Sequence, residues 1–191
     1  WYMGSLNKNT NFKKIAKEVI DLEIKALQKL KKALNKNFDK AVKAIVNCQS
    51  KVILCGVGKS GIIASKISAT LSSIGTPSFS LSANDCSHGN MGSISRKDVL
   101  ILISYSGNSI ELKNIINYAN RNKVLLIGIT SKKNSDLYKN SDIGLITPEV
   151  KEAGLEMIPT SSTINQLSIG DALAISTCLL YTSDAADDCR C

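Results

Sequence analysis

The sequence predicts an α/β fold: a three-layer α/β/α sandwich with a five-stranded parallel sheet and an N-terminal pair of helices. Two observations carry this prediction. Unbroken apolar runs, such as Val99–Ile103, suit strands that are buried on both faces of a parallel sheet. Helical patterns alternate with these runs, as in right-handed strand–helix–strand units. The loops that follow the strands should therefore meet at one edge of the sheet.

The elements can be placed in chain order from their patterns. An apolar stripe at helical spacing occupies residues 11–34, and Asn37 is expected to cap a second helix. Helices are expected after the first, third and fifth strands, and a short one after the fourth, at residues 135–140. The predicted strands are residues 52–55, 78–81, 99–103, 124–129 and 143–146.

Three parts of the chain are expected to differ in role. Residues 1–50 should form helices that pack on the domain, and residues 51–177 should form the sheet domain with its ligand site. Residues 178–191 do not continue the apolar stripe of the preceding helix. We expect this last segment to be foreign to the native chain or frame-shifted.

Composition narrows the class of protein. With 191 residues, 43% hydrophobic and 21% charged, the chain has the make-up of one globular domain. No apolar run approaches the ~20 residues of a membrane span, and no secretory signal is evident. Its six cysteines include no CxxC pair, so we expect reduced thiols and a cytoplasmic protein.

The net charge of +8 comes from one end of the chain. Residues 1–51 contain 12 lysines and four acids, whereas the remaining residues contain 12 basic and 12 acidic side chains. The lysines lack interleaved arginine or aromatic residues, which favours a solvated helix face over a nucleic-acid patch. We expect neither a nucleic-acid nor a membrane partner. The N-terminal helices carry more apolar surface than one small sheet needs to cover. We therefore expect a second copy of the chain to cover the rest, which predicts a homo-oligomer.

The strongest candidate site follows the strand Val99–Ile103, where residues 104–109 read SYSGNS before a helical pattern begins. The hydroxyls of Ser104, Ser106 and Ser109 would lie beside free backbone N–H groups at a helix N-terminus, an arrangement that binds phosphate. The alternative is that the serines only cap the helix and shape the turn. Three hydroxyls and a glycine at the carboxyl end of a buried strand favour binding.

A second candidate follows the first strand, where residues 56–61 read GVGKSG and match the dinucleotide-binding pattern GxGxxG. No acid stands at the end of the second strand to hold a ribose, and Ile53 occupies the place of the first glycine of a Walker loop. We interpret the segment as a turn that lets the backbone approach a ligand, with Lys59 facing it. A merely exposed lysine is disfavoured, because a cation there opposes the helix dipole.

Three titratable residues remain ambiguous from their spacing. His88, the only histidine, lies in a turn at the presumed active edge, and a structural and a functional role are equally open. Glu111 would complete a capping box if Asn108 caps its helix, and Glu152 could simply be solvated. No side chains have metal-ligand spacing, so we expect no metal and no cofactor.

These motifs together resemble the sugar isomerase domain (SIS) family. The resemblance runs from about residue 11 to residue 177 and is carried by residues 56–61, 75–79, 87–89, 104–109, 150–153, 159–163 and 170–174. It implies a flavodoxin-like sandwich, a homotetramer and a sugar phosphate as the small-molecule partner. The branch of the family that the chain resembles most interconverts D-ribulose 5-phosphate and D-arabinose 5-phosphate, towards the 3-deoxy-octulosonate of lipopolysaccharide.

The resemblance also implies roles for individual residues. Lys59, Glu111, Glu152 and His88 fall on catalytic positions. Relatives can carry a metal-contacting histidine where this chain has Ser82, which again predicts no metal. The implied substrate and phosphate contacts are Gly58, Ser60, Gly75, Thr76, His88, Ser104, Ser106, Ser109, Thr160, Ser161 and Ser162.

Three functions follow as hypotheses. In an aldose–ketose isomerase, Glu111 or Glu152 would be the base, His88 would shuttle protons and Lys59 would stabilise the enediolate. A phosphosugar-sensing domain without catalysis is the alternative, and a dinucleotide oxidoreductase is the third. Family members continue into a His–Pro–Gly segment and two CBS domains that are absent from these 191 residues. We therefore expect the chain to bind the sugar phosphate but to convert it slowly or not at all.

Overall fold

Five parallel strands form one sheet in the computed structural model, which describes residues 11–86, 90–154 and 158–188. They are β1 (Val52–Gly56), β2 (Ser78–Ser82), β3 (Val99–Ile103), β4 (Leu125–Thr130) and β5 (Ile143–Ile146). Their order across the sheet is β2-β1-β3-β4-β5, and every neighbouring pair is parallel. The predicted α/β class is confirmed, and the predicted strand ends are within one residue of those observed.

Helices cover both faces of this sheet. The helices of the described residues are α1 (Phe12–Ala33), α2 (Lys36–Val46), α3 (Lys59–Ser73), α4 (Ala83–Cys86), α5 (Ile110–Asn122), α6 (Asp136–Lys139) and α7 (Ser161–Asp188), with a 3₁₀ turn at Asn90–Ser93. The prediction that Asn37 caps α2 is wrong. The side chain of Asn35 caps α2 instead, and the amide of Asn37 donates to the carbonyl of Gly144 at 2.9 Å.

The two faces of the sheet bury separate sets of side chains, because successive residues of a strand point to opposite faces. Leu54 and Ile101 pack in one core with residues of α1, α2, α3 and α7. Ile53 and Leu100 pack in the other core with residues of α4, α5 and α6. All five residues of β1 and of β3 are buried, so these two strands form the rigid centre of the molecule.

A buried carboxylate precedes the central strand β3. Asp98 is 1% exposed and accepts hydrogen bonds from the N–H of Ser95 at 2.7 Å and from Nζ of Lys51 at 3.2 Å. Burial raises the pKa of Asp98, but the bonds from Ser95, Ser50 and Lys51 outweigh it and hold that pKa below the usual range. The ion pair thereby ties the starts of β1 and β3 together.

The last helix joins the N-terminal helices to the sheet domain. α7 packs against α1, α2 and α3, and a side chain at Gly170 would overlap Ile67 of α3. α7 continues past Thr177 to Asp188, so helical backbone extends into the segment expected to be foreign. That segment's origin stays a prediction. Within the described ranges, no helix combines the length and apolarity needed to cross a membrane.

The strand order creates the crevice in which a site can form. After β1 the chain moves outward to β2, and it then returns to the other side of β1 as β3. The loops that leave β1 and β3 therefore diverge at the carboxyl edge of the sheet. Ligands of open α/β sheets bind at such a switch in strand order.

Candidate active site

A cavity of about 520 Å³ lies at this carboxyl edge. Its size is within the range of small-molecule sites. Loops after β1, β3 and β5 contribute to it, together with the start of α7. The lining residues are Val57, Lys59, Ser60, Tyr105, Val150, Lys151, Glu152, Pro159, Ser162, Thr163 and Gln166. Two of the predicted catalytic residues, Lys59 and Glu152, thus line one cavity.

The serine loop after β3 is held by its own side chains. Oγ of Ser104 accepts from the N–H of Gly107 at 3.0 Å and is hydrogen-bonded to Oγ of Ser109 at 3.1 Å. Oγ of Ser106 accepts from the N–H of Asn108 at 3.3 Å, and Ser106 is exposed. Gly107 has a φ of +66°, a conformation that favours glycine. Ser104 therefore shapes the loop, whereas Ser106 faces solvent.

The capping box that was the alternative interpretation of Glu111 does not form at α5. Oδ1 of Asn108 accepts from the N–H of Asp136 at 2.9 Å, so this side chain ties the serine loop to α6 instead of capping α5. Ser109 is the N-cap and makes no side-chain capping bond. Glu111 is consequently the second residue of α5 and is exposed. It does not line the cavity that contains Lys59 and Glu152.

The glycine turn after β1 leads directly into α3. Gly58 is the N-cap, with a φ of +57° and no capping side chain, and Lys59 is the first helical residue. Oγ of Ser60 donates to Oε1 of Gln166 at 3.0 Å, which joins α3 to α7 across the cavity. Gly58 itself lines a neighbouring cavity of about 450 Å³ that Ser82 also lines.

Among the predicted catalytic residues that the structure describes, Glu152 makes the most hydrogen bonds. Its Oε2 accepts from the N–H of Thr160 at 2.7 Å, from Oγ1 of Thr160 at 3.2 Å and from the N–H of Ser162 at 3.2 Å. Burial raises the pKa of Glu152, but the hydrogen bonds from Ser162 and Thr160 outweigh burial and hold that pKa below its usual value. The carboxylate is therefore ionised at neutral pH.

The other predicted contacts are spread more widely. Ser162 lines the cavity, but Ser161 is fully buried, and its hydroxyl makes no hydrogen bond within the described residues. Gly75 and Thr76 precede β2, so they lie at the amino edge of the sheet, opposite the cavity. Neither residue lines the cavity. His88 lies outside the described residues.

Several lining residues were not singled out from the sequence, namely Val57, Tyr105, Lys151, Thr163 and Gln166. Position alone could have suggested some of them. Tyr105 lies within the serine loop, and Lys151 directly precedes Glu152. Gln166 follows Ser162 by one helical turn, so both lie on one face of α7. Among the described residues, no three His, Cys, Asp or Glu side chains group as a metal site would require.

Comparison with known proteins places this geometry in a family. An uncharacterised protein of Rickettsia prowazekii is 42% identical over 168 residues, 88% of this chain and 52% of that protein. Arabinose 5-phosphate isomerase KdsD of Yersinia pestis is 39% identical over 172 residues, 90% of this chain and 52% of that protein. The chain therefore spans about half the length of these curated relatives.

The fold comparison agrees. A solved structure of an Escherichia coli CFT073 protein in complex with arabinose 5-phosphate superposes with a TM-score of 0.87 at 34% identity, covering 93% of this chain and 94% of that one. The SIS domain matches residues 45–176, a range that contains all five strands and every lining residue of the cavity. The chain thus belongs to the SIS domain family.

Proposed function

We propose that this protein is a sugar-phosphate aldose–ketose isomerase that interconverts D-ribulose 5-phosphate and D-arabinose 5-phosphate. The observation that carries the proposal is the shared cavity of Lys59 and Glu152 beside the loop of Ser104, Ser106 and Ser109. The names of relatives such as the Yersinia pestis isomerase, and the arabinose 5-phosphate complex of the similar E. coli structure, support the choice of sugar.

The residues of this proposed site can supply most of the groups that the reaction requires. A base removes the proton from C2 of the aldose and the carbonyl oxygen at C1 takes up a proton, which gives the enediol. The hydroxyl at C2 then gives up its proton while a proton is delivered to C1, which yields the ketose. The ammonium of Lys59 would stabilise negative charge on the enediolate oxygens. The first N–H groups of α5 and the serine hydroxyls would hold the phosphate, because Ser109 leaves those N–H groups without a side-chain cap.

The base is Glu111 or Glu152 in this proposal, with His88 as a proton shuttle. The test follows exchange of the C2 proton of arabinose 5-phosphate by NMR in the parent chain and in the Glu111→Gln and Glu152→Gln variants. At least one variant should exchange ~10²–10⁴-fold more slowly, the usual worth of one such group. Parental exchange rates in both variants would refute the assignment of the base.

A phosphosugar-sensing domain is the second candidate, and one observation favours it. Neither carboxylate is free within the cavity, since Glu152 is engaged by three hydrogen bonds and Glu111 lies outside the lining. Calorimetric binding of arabinose 5-phosphate with no exchange at C2, also in a chain of the relatives' length, would establish the sensor. We regard the isomerase as better supported, because a sensor needs neither Lys59 nor the acids.

We further propose a cytoplasmic homotetramer whose product leads to 3-deoxy-octulosonate for lipopolysaccharide. Assembly is supported by α1, which leaves Phe12 68%, Ile15 48%, Ile20 55% and Ile24 46% exposed. Apolar side chains in such number on one helix are typical of a surface that is buried in an assembly. Light scattering at micromolar concentration should give a mass above that of one chain, and a monomer would contradict the proposal.

A further inference from the structure

Glu152 lines the cavity, yet one of its oxygens is directed at the backbone of α7. Oε2 accepts three hydrogen bonds, of which two come from the N–H groups of Thr160 and Ser162 at the start of the helix. The first N–H groups of a helix have no partner within it, and an acidic side chain satisfies them well because the helix dipole is positive at that end. Glu152 is thus the capping residue of α7, supplied from outside the helix.

The contact is reciprocal. Oγ1 of Thr160 accepts from the N–H of Ala153 at 2.8 Å while it donates to Glu152. Two neighbouring residues of the β5–α7 connection are therefore closed against the start of the helix in a ring of hydrogen bonds, comparable to a capping box. This ring fixes where Lys151 stands relative to Ser162, and both line the cavity.

The other end of the connection is also anchored. Oγ of Ser131 and Oγ1 of Thr147 are hydrogen-bonded at 2.8 Å and buried, and Nζ of Lys132 pairs with Glu149 at 2.5 Å. The Lys132–Glu149 pair is exposed, so it is worth little by itself. The bonds of Glu152 are partly buried and lie nearer to the cavity, which makes them the stronger restraint on the wall.

Glu111 has the opposite surroundings. It is exposed at the start of α5, directly after the serine loop, and it makes no ion pair within the described residues. All three donors bond to Oε2 of Glu152, so that oxygen is committed to the start of α7.

We infer that Glu152 is a positioning residue, which caps α7 through Oε2 and so holds Lys151 and Ser162 at the cavity wall. Of the two candidate bases of the proposed isomerase, this leaves Glu111. This assignment rests on the proposed isomerase function. Glu152 also occupies the N–H groups of Thr160 and Ser162, so these two donors are not free for a ligand.

The test compares Glu152→Gln, Glu152→Ala and Glu111→Gln with the matched control Glu149→Gln, which removes a charge from the same connection. Arabinose 5-phosphate binding is measured by calorimetry, C2 exchange by NMR as a function of pH, and stability by urea unfolding. Glu152→Gln keeps an acceptor oxygen, so it should weaken binding only a few-fold, keep the exchange rate within about 10-fold and leave the pH profile in place. Glu152→Ala should weaken binding ~10-fold or more and lower the urea midpoint.

Glu111→Gln should lose exchange by ~10²–10⁴-fold with binding and midpoint close to the parental values. The inference is overturned if Glu152→Gln loses exchange to that extent while it binds and unfolds like the parent. It is also overturned if Glu152→Ala binds and unfolds like Glu149→Gln. A parent that binds but shows no exchange, also in a chain of the relatives' length, refutes the isomerase instead, and the order of binding and midpoints among the variants still decides the role of Glu152.

Discussion

Gly107 is a position at which one added methyl group should damage the candidate site. It has a φ of +66° in the serine loop. A Cβ there would overlap Oγ of Ser135 and would lie 2.6 Å from Cβ of Ser135 and 2.7 Å from Oγ1 of Thr130. Gly107→Ala therefore combines backbone strain with a collision inside the protein.

The magnitude follows from these two contributions. A left-handed conformation costs a residue with a Cβ about 1–2 kcal/mol. The collision adds about 1–3 kcal/mol, the usual cost of overpacking a well-packed site. Ser135 has little freedom to yield, because it is fully buried and its Oγ donates to the carbonyl of Lys132 at 2.6 Å while it caps α6. The variant should lose about 2–5 kcal/mol of unfolding free energy, a large part of the ~5–15 kcal/mol of a typical domain.

Gly75→Ala is the matched control for this variant. Gly75 has a φ of +87°, but nothing lies within 4 Å of the position that its Cβ would take. Urea unfolding followed by circular dichroism should give a loss of about 1–2 kcal/mol for Gly75→Ala, from backbone strain alone. The reasoning is refuted if the two variants lose the same free energy, because the collision with Ser135 would then cost nothing.

Two further predictions concern buried titratable groups. Asp98→Asn should lower the unfolding free energy by about 1–3 kcal/mol, because it weakens the buried pair with Lys51. Asp171→Asn changes an exposed ion pair and should lower it by less than about 1 kcal/mol. Equal losses for the two variants in urea unfolding would contradict this prediction. Folding lowers the pKa of Asp98, so its contribution to the unfolding free energy is complete above its pKa in the unfolded chain, ~3.9. That contribution is lost as the pH falls through the pKa of the folded chain. Acid titrations of the stability of Asp98→Asn should not show this loss. A hydrogen bond with Cys86 and burial raise the pKa of the Cys55 thiol, and both thiols are buried. Iodoacetamide should therefore label neither Cys55 nor Cys86 in the folded chain but both in urea. Rapid labelling of either thiol under native conditions would contradict this prediction.

The sheet was predictable from the sequence because its strands are defined by local composition. Each central strand is an apolar run buried on both faces, and no distant partner is needed to recognise it. The helix caps were not predictable in the same way. Asn37 and Asn108 both have side chains suited to capping, but their partners are Gly144 and Asp136, which lie far along the chain. A cap is chosen by competition between local and distant partners, and only the folded chain decides it.

Some features of the candidate site were likewise predictable from the sequence, and others were not. That Lys59 and Glu152 line one cavity was predictable, because both follow strands whose carboxyl ends share one edge. The position of Gly75 and Thr76 was predictable too, since residues that precede a parallel strand lie at the opposite edge. The engagement of Glu152 by Thr160 was not, because it depends on how the intervening connection folds back on α7.

The helix N-termini at the carboxyl edge differ in what remains for a ligand to bind. α7 is closed by the carboxylate of Glu152. α3 begins at Gly58 without a capping side chain and carries the cation Lys59 at its first position. α5 begins at Ser109 without a side-chain capping bond and follows a loop of hydroxyls. In the proposed isomerase, the phosphate would bind at α5, which offers the serine hydroxyls beside its first N–H groups, and the sugar would extend towards Lys59. Glu152 would cap α7, so Lys59 would be the cation that stabilises the reacting oxygens.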